Sequence, residues 1–149
     1  MVGRVIVLDS GPLGLITNPN PSPQNLACAT WLKTILNGGA RVVVPEIVDY
    51  EIRRELLRAN KQRGLRTLDA ICRTLDYCCL SSQSMRLAAQ LWADARQIGQ
   101  PTANDDTIDI DVILAAQALC LGVEFVIATT NVKHLQQFAA SDLWTAIPH

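Results

Sequence analysis

The sequence predicts an α/β fold, a three-layer α/β/α sandwich around a mainly parallel central sheet, and three observations carry that expectation. Val5-Ile6-Val7-Leu8, Arg41 to Val44 and Phe125 to Ala128 are short runs rich in β-branched residues, without the alternation of a half-exposed strand. They read as strands buried on both faces. Longer segments with helical spacing separate them, as parallel neighbours require. Of the 149 residues, 49% are hydrophobic and 18% charged, enough apolar material for one packed domain over 1–149 and too little charge for disorder.

Taken in order, Val5 to Leu8 forms the first strand, closed by Asp9 and the turn signal Ser10-Gly11-Pro12. Gly11 to Pro23 reads as a proline-rich connection. Gln24 to Leu36 predicts a helix with Leu26, Ala29, Leu32, Lys33 and Leu36 at helical spacing, stopped by Gly38-Gly39. Arg41 to Val44 is the second strand, and Pro45 opens a helix carrying Val48, Ile52 and Leu56 on one face, because proline suits a first helical position. A helix over Leu65 to Leu75, a strand over Tyr77 to Leu80 and a helix over Ser84 to Ile98 follow. Thr107 to Leu121 predicts the most apolar helix, Phe125 to Ala128 a fourth strand and Leu143 to Ile147 a short edge strand. The chain carries no internal repeat and no low-complexity segment.

Composition excludes several classes. The apolar, uncharged stretch Val112 to Val123 is too short to span a bilayer, and Asp9 interrupts the first apolar run before it could serve as a signal-peptide core. A cytoplasmic protein is expected. Cys28, Cys72, Cys78, Cys79 and Cys120 form an odd set without a CxxC spacing, so they read as reduced thiols packed as small hydrophobes. The formal net charge is -1, yet Arg53, Arg54, Arg58, Lys61, Arg63, Arg66 and Arg73 fall in one stretch and Asp105, Asp106, Asp109 and Asp111 in another. The basic run is either a solvated helix face or a phosphate-contacting surface.

The acids carry the chemistry. Asp9 closes a buried strand, and open α/β sheets bind ligands outside the carboxyl ends of their strands. Glu51 follows Val48 by three residues and so borders the buried stripe of its helix, whereas Glu46 and Asp49 sit near the helix start, where the dipole favours them. Asp111 shares a face with Ile108 and Ala115 in a helix apolar nearly all round, where a purely structural acid would need a buried partner. Asp109 points elsewhere, because i and i+2 do not align on a helix; it reads equally well as a first-turn acid or as the alternative to Asp111. Carboxylates converging at one edge repel each other unless a cation sits among them. Mg²⁺ prefers oxygen ligands, so Asp9, Glu51 and Asp111 suit it, and the implied reaction is metal-dependent phosphodiester hydrolysis.

Val5-Ile6-Val7-Leu8-Asp9-Ser10, then Val44-Pro45-Glu46-Ile47-Val48-Asp49-Tyr50-Glu51-Ile52, then Asp111-Val112-Ile113-Leu114-Ala115-Ala116-Gln117-Ala118-Leu119 and Ala128-Thr129-Thr130-Asn131, occur in the order of a known family. Over almost its whole length the chain resembles PIN-domain ribonucleases of the VapC toxin type. The resemblance implies Asp9, Glu51 and Asp111 as the metal-site and catalytic carboxylates, Asn131 at the fourth catalytic position, and Ser10 and Thr129 as hydroxyl residues on the substrate side. It also implies Mg²⁺ or Mn²⁺, RNA cleavage, a homodimer and a cognate antitoxin. Arg54 and Arg58 are the basic residues expected to contact RNA. The chain departs from the family in placing neutral Asn131 where an aspartate is usual, in a longer interval between Asp111 and Thr129, and in the prolines after Asp9.

Two other readings compete. A PIN-like module without turnover would bind RNA or protein only. An aspartate-based phosphatase would use Asp9 as nucleophile with Lys133 balancing charge, and in its haloacid-dehalogenase-like form would want an aspartate where Gly11 stands. A dinucleotide-binding fold is excluded, since Gly11-Pro12-Leu13-Gly14 is no GxGxxG turn.

Overall fold

The computed structural model describes residues 3–98 and 105–148, with side chains from residue 109 onward in the second segment. Five parallel strands, β1 (Val5–Leu8), β2 (Val42–Pro45), β3 (Asp76–Cys78), β4 (Phe125–Thr129) and β5 (Ser141–Leu143), form a sheet in the order β3-β2-β1-β4-β5. Six helices accompany them: α1 (Ser10–Thr17), α2 (Pro23–Asn37), α3 (Glu46–Arg58), α4 (Gln62–Thr74), α5 (Ser82–Gln97) and α6 (Asp105–Leu119). The architecture is a three-layer α/β/α sandwich.

Connectivity dictates the layers. The chain steps from β1 to β2 to β3 in one direction, then returns past both to β4 and moves on to β5. Right-handed crossovers send α1 to α4 over one face and α5 and α6 over the other. The packing agrees: α1 contacts α2, α3 and α4, while α5 packs along α6. Because β1 and β4 are neighbours whose connections leave in opposite directions, their carboxyl ends bound the crevice where ligands bind in such sheets.

The central strands are the core. Val7, Leu8, Val43, Val44, Ile127 and Ala128 are buried, as expected where helices cover both faces. The end of the chain is pinned to the start of the fold by Trp31, whose ring lies 5.7 Å from that of Trp144 and whose indole N–H donates to the Ile147 carbonyl at 3.3 Å.

Several expectations need correction. Gly11 to Pro23 is not one connection: Ser10–Thr17 is helix α1, which accommodates Pro12 because an amide in the first turn has no intrahelical partner to lose. The buried stripe of α2 is Asn25, Cys28, Trp31, Leu32 and Ile35, and Leu26 is exposed. Pro45 closes β2 and caps α3 instead of opening it. Helix α4 starts at Gln62, before Leu65, because Gly64 is a contact point and no breaker: a Cβ there would meet Leu56 at 2.7 Å. Helix α5 likewise starts earlier than expected, at Ser82, where Ser81 and Ser84 form a capping box. Strand β3 starts and ends earlier than expected, at Asp76 and Cys78. The expected edge strand Leu143 to Ile147 is β5 over Ser141–Leu143 followed by a 3₁₀ turn over Trp144–Ala146. The face shared with Ile108, and the side chains of Asp105 and Asp106, lie outside the described residues.

Candidate active site

Asp9 leaves β1 at the crevice and caps α1. One carboxylate oxygen accepts from the Ser10 amide at 2.7 Å and the other from the Thr129 hydroxyl at 2.6 Å. Thr129 is itself buried at the end of β4, and its hydroxyl oxygen also accepts from the Asn131 amide at 3.1 Å. One hydroxyl therefore ties together the ends of the two strands that bound the crevice. Burial pushes the Asp9 carboxyl above its usual range, and hydrogen bonds from Thr129 and Ser10 oppose that rise.

Glu51 stands in the second turn of α3, and its Oε1 is buried without a hydrogen-bond partner. Asp111 lies on α6, which runs back toward the amino edge and so keeps its early turns beside the crevice. The Asp111 carboxyl is pushed up to about 7, first by burial and then by the charges of Asp9 and Glu51. The three acids thus share one electrostatic field, although they come from three elements and are separated by scores of residues. Asp109 is exposed and borders a different cavity, with Met85, Trp92 and Val112 between α5 and α6.

Among the described residues, no three acidic, histidine or cysteine side chains are arranged as a finished metal cage. A hard divalent ion does not demand one, since Mg²⁺ keeps several waters and takes one or two carboxylates directly. The donor set fits such an ion on two counts: a buried carboxylate oxygen lacks any partner, and a second carboxyl is pushed up to about 7 by burial and then by neighbouring like charges. A cation relieves both. Asp9, Glu51 and Asp111 are the residues that would hold it.

The remaining candidates divide. Ser10 follows Asp9 at the start of α1, and Thr129 spends its hydroxyl on Asp9. Asn131 is exposed, and its side-chain oxygen accepts from the Lys133 amide at 3.0 Å, forming an Asx turn. Residues 132–138 form a series of turns, so Asn131 caps no helix. Arg58 is exposed and doubly bonded to Glu55, at 3.0 and 2.8 Å. Arg54 lies over the Tyr50 ring, 5.2 Å from its centroid. Arg53 is drawn into structure: it bonds Asp49 and Asp69, and Tyr77 donates to Asp49 at 2.7 Å, joining α3, α4 and β3.

Two supporting residues were not singled out from sequence. Gln117 on α6 is buried; its Oε1 accepts from the Ile47 amide at 3.1 Å and its Nε2 donates to the Cys78 carbonyl at 2.8 Å. It satisfies a first-turn amide of α3 and so fixes the helix of Asp111 against the helix of Glu51. A polar residue inside the otherwise apolar stretch Val112 to Val123 was its signal. Thr130 presses on Gly11, where any Cβ would collide with its side chain. The aspartate that a haloacid-dehalogenase-like site wants at that position has no room. A cavity of about 570 Å³ lies far from the acids, at the amino edge of the sheet beside Arg4, Ile35, Arg41 and Ile147.

Solved structures share this architecture over nearly its full length. VapBC2 from Rickettsia felis, bound to a DNA fragment from its promoter, matches 95% of this chain and 99% of its own with a TM-score of 0.74 and 17% identity. DNA-bound VapBC from Salmonella typhimurium gives a TM-score of 0.70 at 17% identity, again over 95% of this chain and 99% of that one. FitAcB from Neisseria gonorrhoeae gives 0.66 at 18% identity, over 96% and 100%. No family model and no curated protein matches the chain. At such identities the likeness establishes the fold, which is that of the VapC-type PIN proteins.

Proposed function

We propose that this chain is a Mg²⁺- or Mn²⁺-dependent endoribonuclease that hydrolyses RNA phosphodiester bonds, and the toxin of a toxin–antitoxin pair. The observation that carries the nuclease reading is the buried Glu51 Oε1 without a hydrogen-bond partner, beside an Asp111 carboxyl that burial and then the charges of Asp9 and Glu51 push up to about 7. Three like charges directed at one crevice are costly without a cation and productive with one. When bound, the ion supplies Lewis acidity and an activated water for attack at phosphorus. Asp9 is held by Thr129 and the Ser10 amide, Glu51 offers an unpartnered oxygen, and Asp111 completes the charge. Asn131 orients substrate or water near the end of β4 without adding charge. Arg54 and Arg58 line the approach for the phosphate backbone.

The toxin reading is supported by the likeness to toxin–antitoxin complexes, and implies a homodimer bound by a cognate antitoxin. Among the described residues no helix is long and apolar enough to cross a membrane.

The test is cleavage of mixed RNA by the purified chain with Mg²⁺ or with chelator. Cleavage should need the metal and vanish in Asp9→Asn, Glu51→Gln and Asp111→Asn, each still folded. Asp109→Asn should retain most activity. Full activity of Asp9→Asn where chelator silences the wild type would overturn the site. A stronger loss in Asp109→Asn than in Asp111→Asn would move the third acid.

A further inference from the structure

Helix α3 carries an aromatic residue that packing does not explain. Tyr50 is 54% exposed, one residue before Glu51, and the Arg54 guanidinium stacks over its ring. The other guanidiniums of this helix are engaged by carboxylates, Arg53 by Asp49 and Asp69 and Arg58 by Glu55. Arg54 has no ion pair among the described residues, and as the i+3 neighbour of Glu51 it stands directly beside it on the helix surface.

We infer that Tyr50 and Arg54 form a stacking platform for an unpaired nucleobase of the RNA strand, next to the acids that act on its backbone. The inference rests on the proposed ribonuclease reading and adds to it a base-stacking site on α3, outside the acids themselves. The chemistry is specific. A ring topped by a planar cation offers a π surface with positive charge, complementary to a strand that carries a π face and a negative charge at every nucleotide. In a duplex those faces are already stacked on each other and cannot reach the platform. Leu57, 59% exposed and two turns from Tyr50, extends the same side of the helix, so a second copy of the chain is the competing occupant.

The experiment is a binding titration of the full chain in chelator, so that hydrolysis does not intrude, with a short single-stranded oligoribonucleotide carrying one fluorescent aminopurine. Wild type should quench the aminopurine. Tyr50→Ala should weaken binding about tenfold or more, the usual worth of base–aromatic stacking, and Tyr50→Phe should restore it, since the ring and not the hydroxyl is required. Annealing the oligonucleotide to its complement should erase the difference between wild type and Tyr50→Ala. Absence of quenching by wild type, or equal binding by Tyr50→Ala, overturns the platform. Altered sedimentation of Tyr50→Ala with unchanged RNA binding also overturns it and assigns the surface to a second copy. Tyr50-dependent binding without metal-dependent cleavage would instead defeat the nuclease reading and leave the platform standing.

Discussion

Thr129 donates its hydroxyl to Asp9 across the seam between β4 and β1, at 2.6 Å. The bond is charge-assisted, and it opposes the burial that lifts the Asp9 carboxyl. Thr129→Val keeps the shape and removes the donor. It should cost about 1.5–3 kcal/mol of stability at neutral pH, the range for hydrogen bonds to charged groups, and Thr129→Ser should recover most of it. The acidic limb of the cleavage pH profile should move upward in Thr129→Val. Urea denaturation and a pH–rate profile read the two effects, and an unmoved acidic limb would mean that Thr129 serves the scaffold alone.

Stability without metal should fall as pH rises. The Asp111 carboxyl titrates at about 7 in the folded chain, against an ordinary value of 3.8. Between those values the folded chain binds more protons than the unfolded one, so the penalty is absent at low pH and complete above the folded value. Asp9, raised by burial, acts in the same direction. Denaturation midpoints of wild type and Asp111→Asn in chelator, compared at about pH 5 and about pH 8, isolate this contribution. The variant should gain relative to wild type as pH rises, and a constant difference would contradict the assignment.

The basic residues should contribute unequally to RNA affinity. Arg58 must leave Glu55 to reach a phosphate, whereas Arg54 has no carboxylate to leave among the described residues, and Arg63 and Arg66 line a groove of about 440 Å³ with Pro19 and Thr67. Arg54→Ala and Arg63→Ala should each lower the slope of log affinity against log salt by about 0.7, the single-strand value per phosphate contact. Arg58→Ala should lower it less. Titrations at several salt concentrations decide, and equal slopes for all variants would remove phosphate from this surface.

Gln117→Leu should destabilise out of proportion to its size. It leaves the Ile47 amide and the Cys78 carbonyl without their partner, each costing about 1–3 kcal/mol if no water replaces it. Cleavage should fall as well, because α6 would lose its tie to α3. A variant as stable as wild type by urea denaturation would show that water fills both roles.

Much of this was legible in the chain because parallel central strands advertise themselves: β1, β2 and β4 read as apolar runs with no polar face to confuse them. Helix α1 was hidden by Gly11, Pro12 and Gly14, residues that usually break helices but here occupy a first turn and a close contact with α3. The buried face of α2 was misread because hydrophobicity does not say which side the sheet lies on, and Asn25 and Cys28 went inside while Leu26 stayed out. That Asp109 and Asp111 face different ways follows from helical geometry and could be anticipated. Which elements lie beside them could not, since strand order is a property of the whole chain.

The adjacency of β1 and β4 sets a schedule for the molecule. Synthesis delivers Asp9 and Glu51 early, but β4, which lines the far wall of the crevice and lends Asp9 its hydroxyl partner, is finished only at residue 129. A nascent chain halted before that point exposes the bare edge of β1 and leaves Asp9 without the donor that steadies it. The catalytic apparatus proposed for this chain therefore cannot ripen on a partial product.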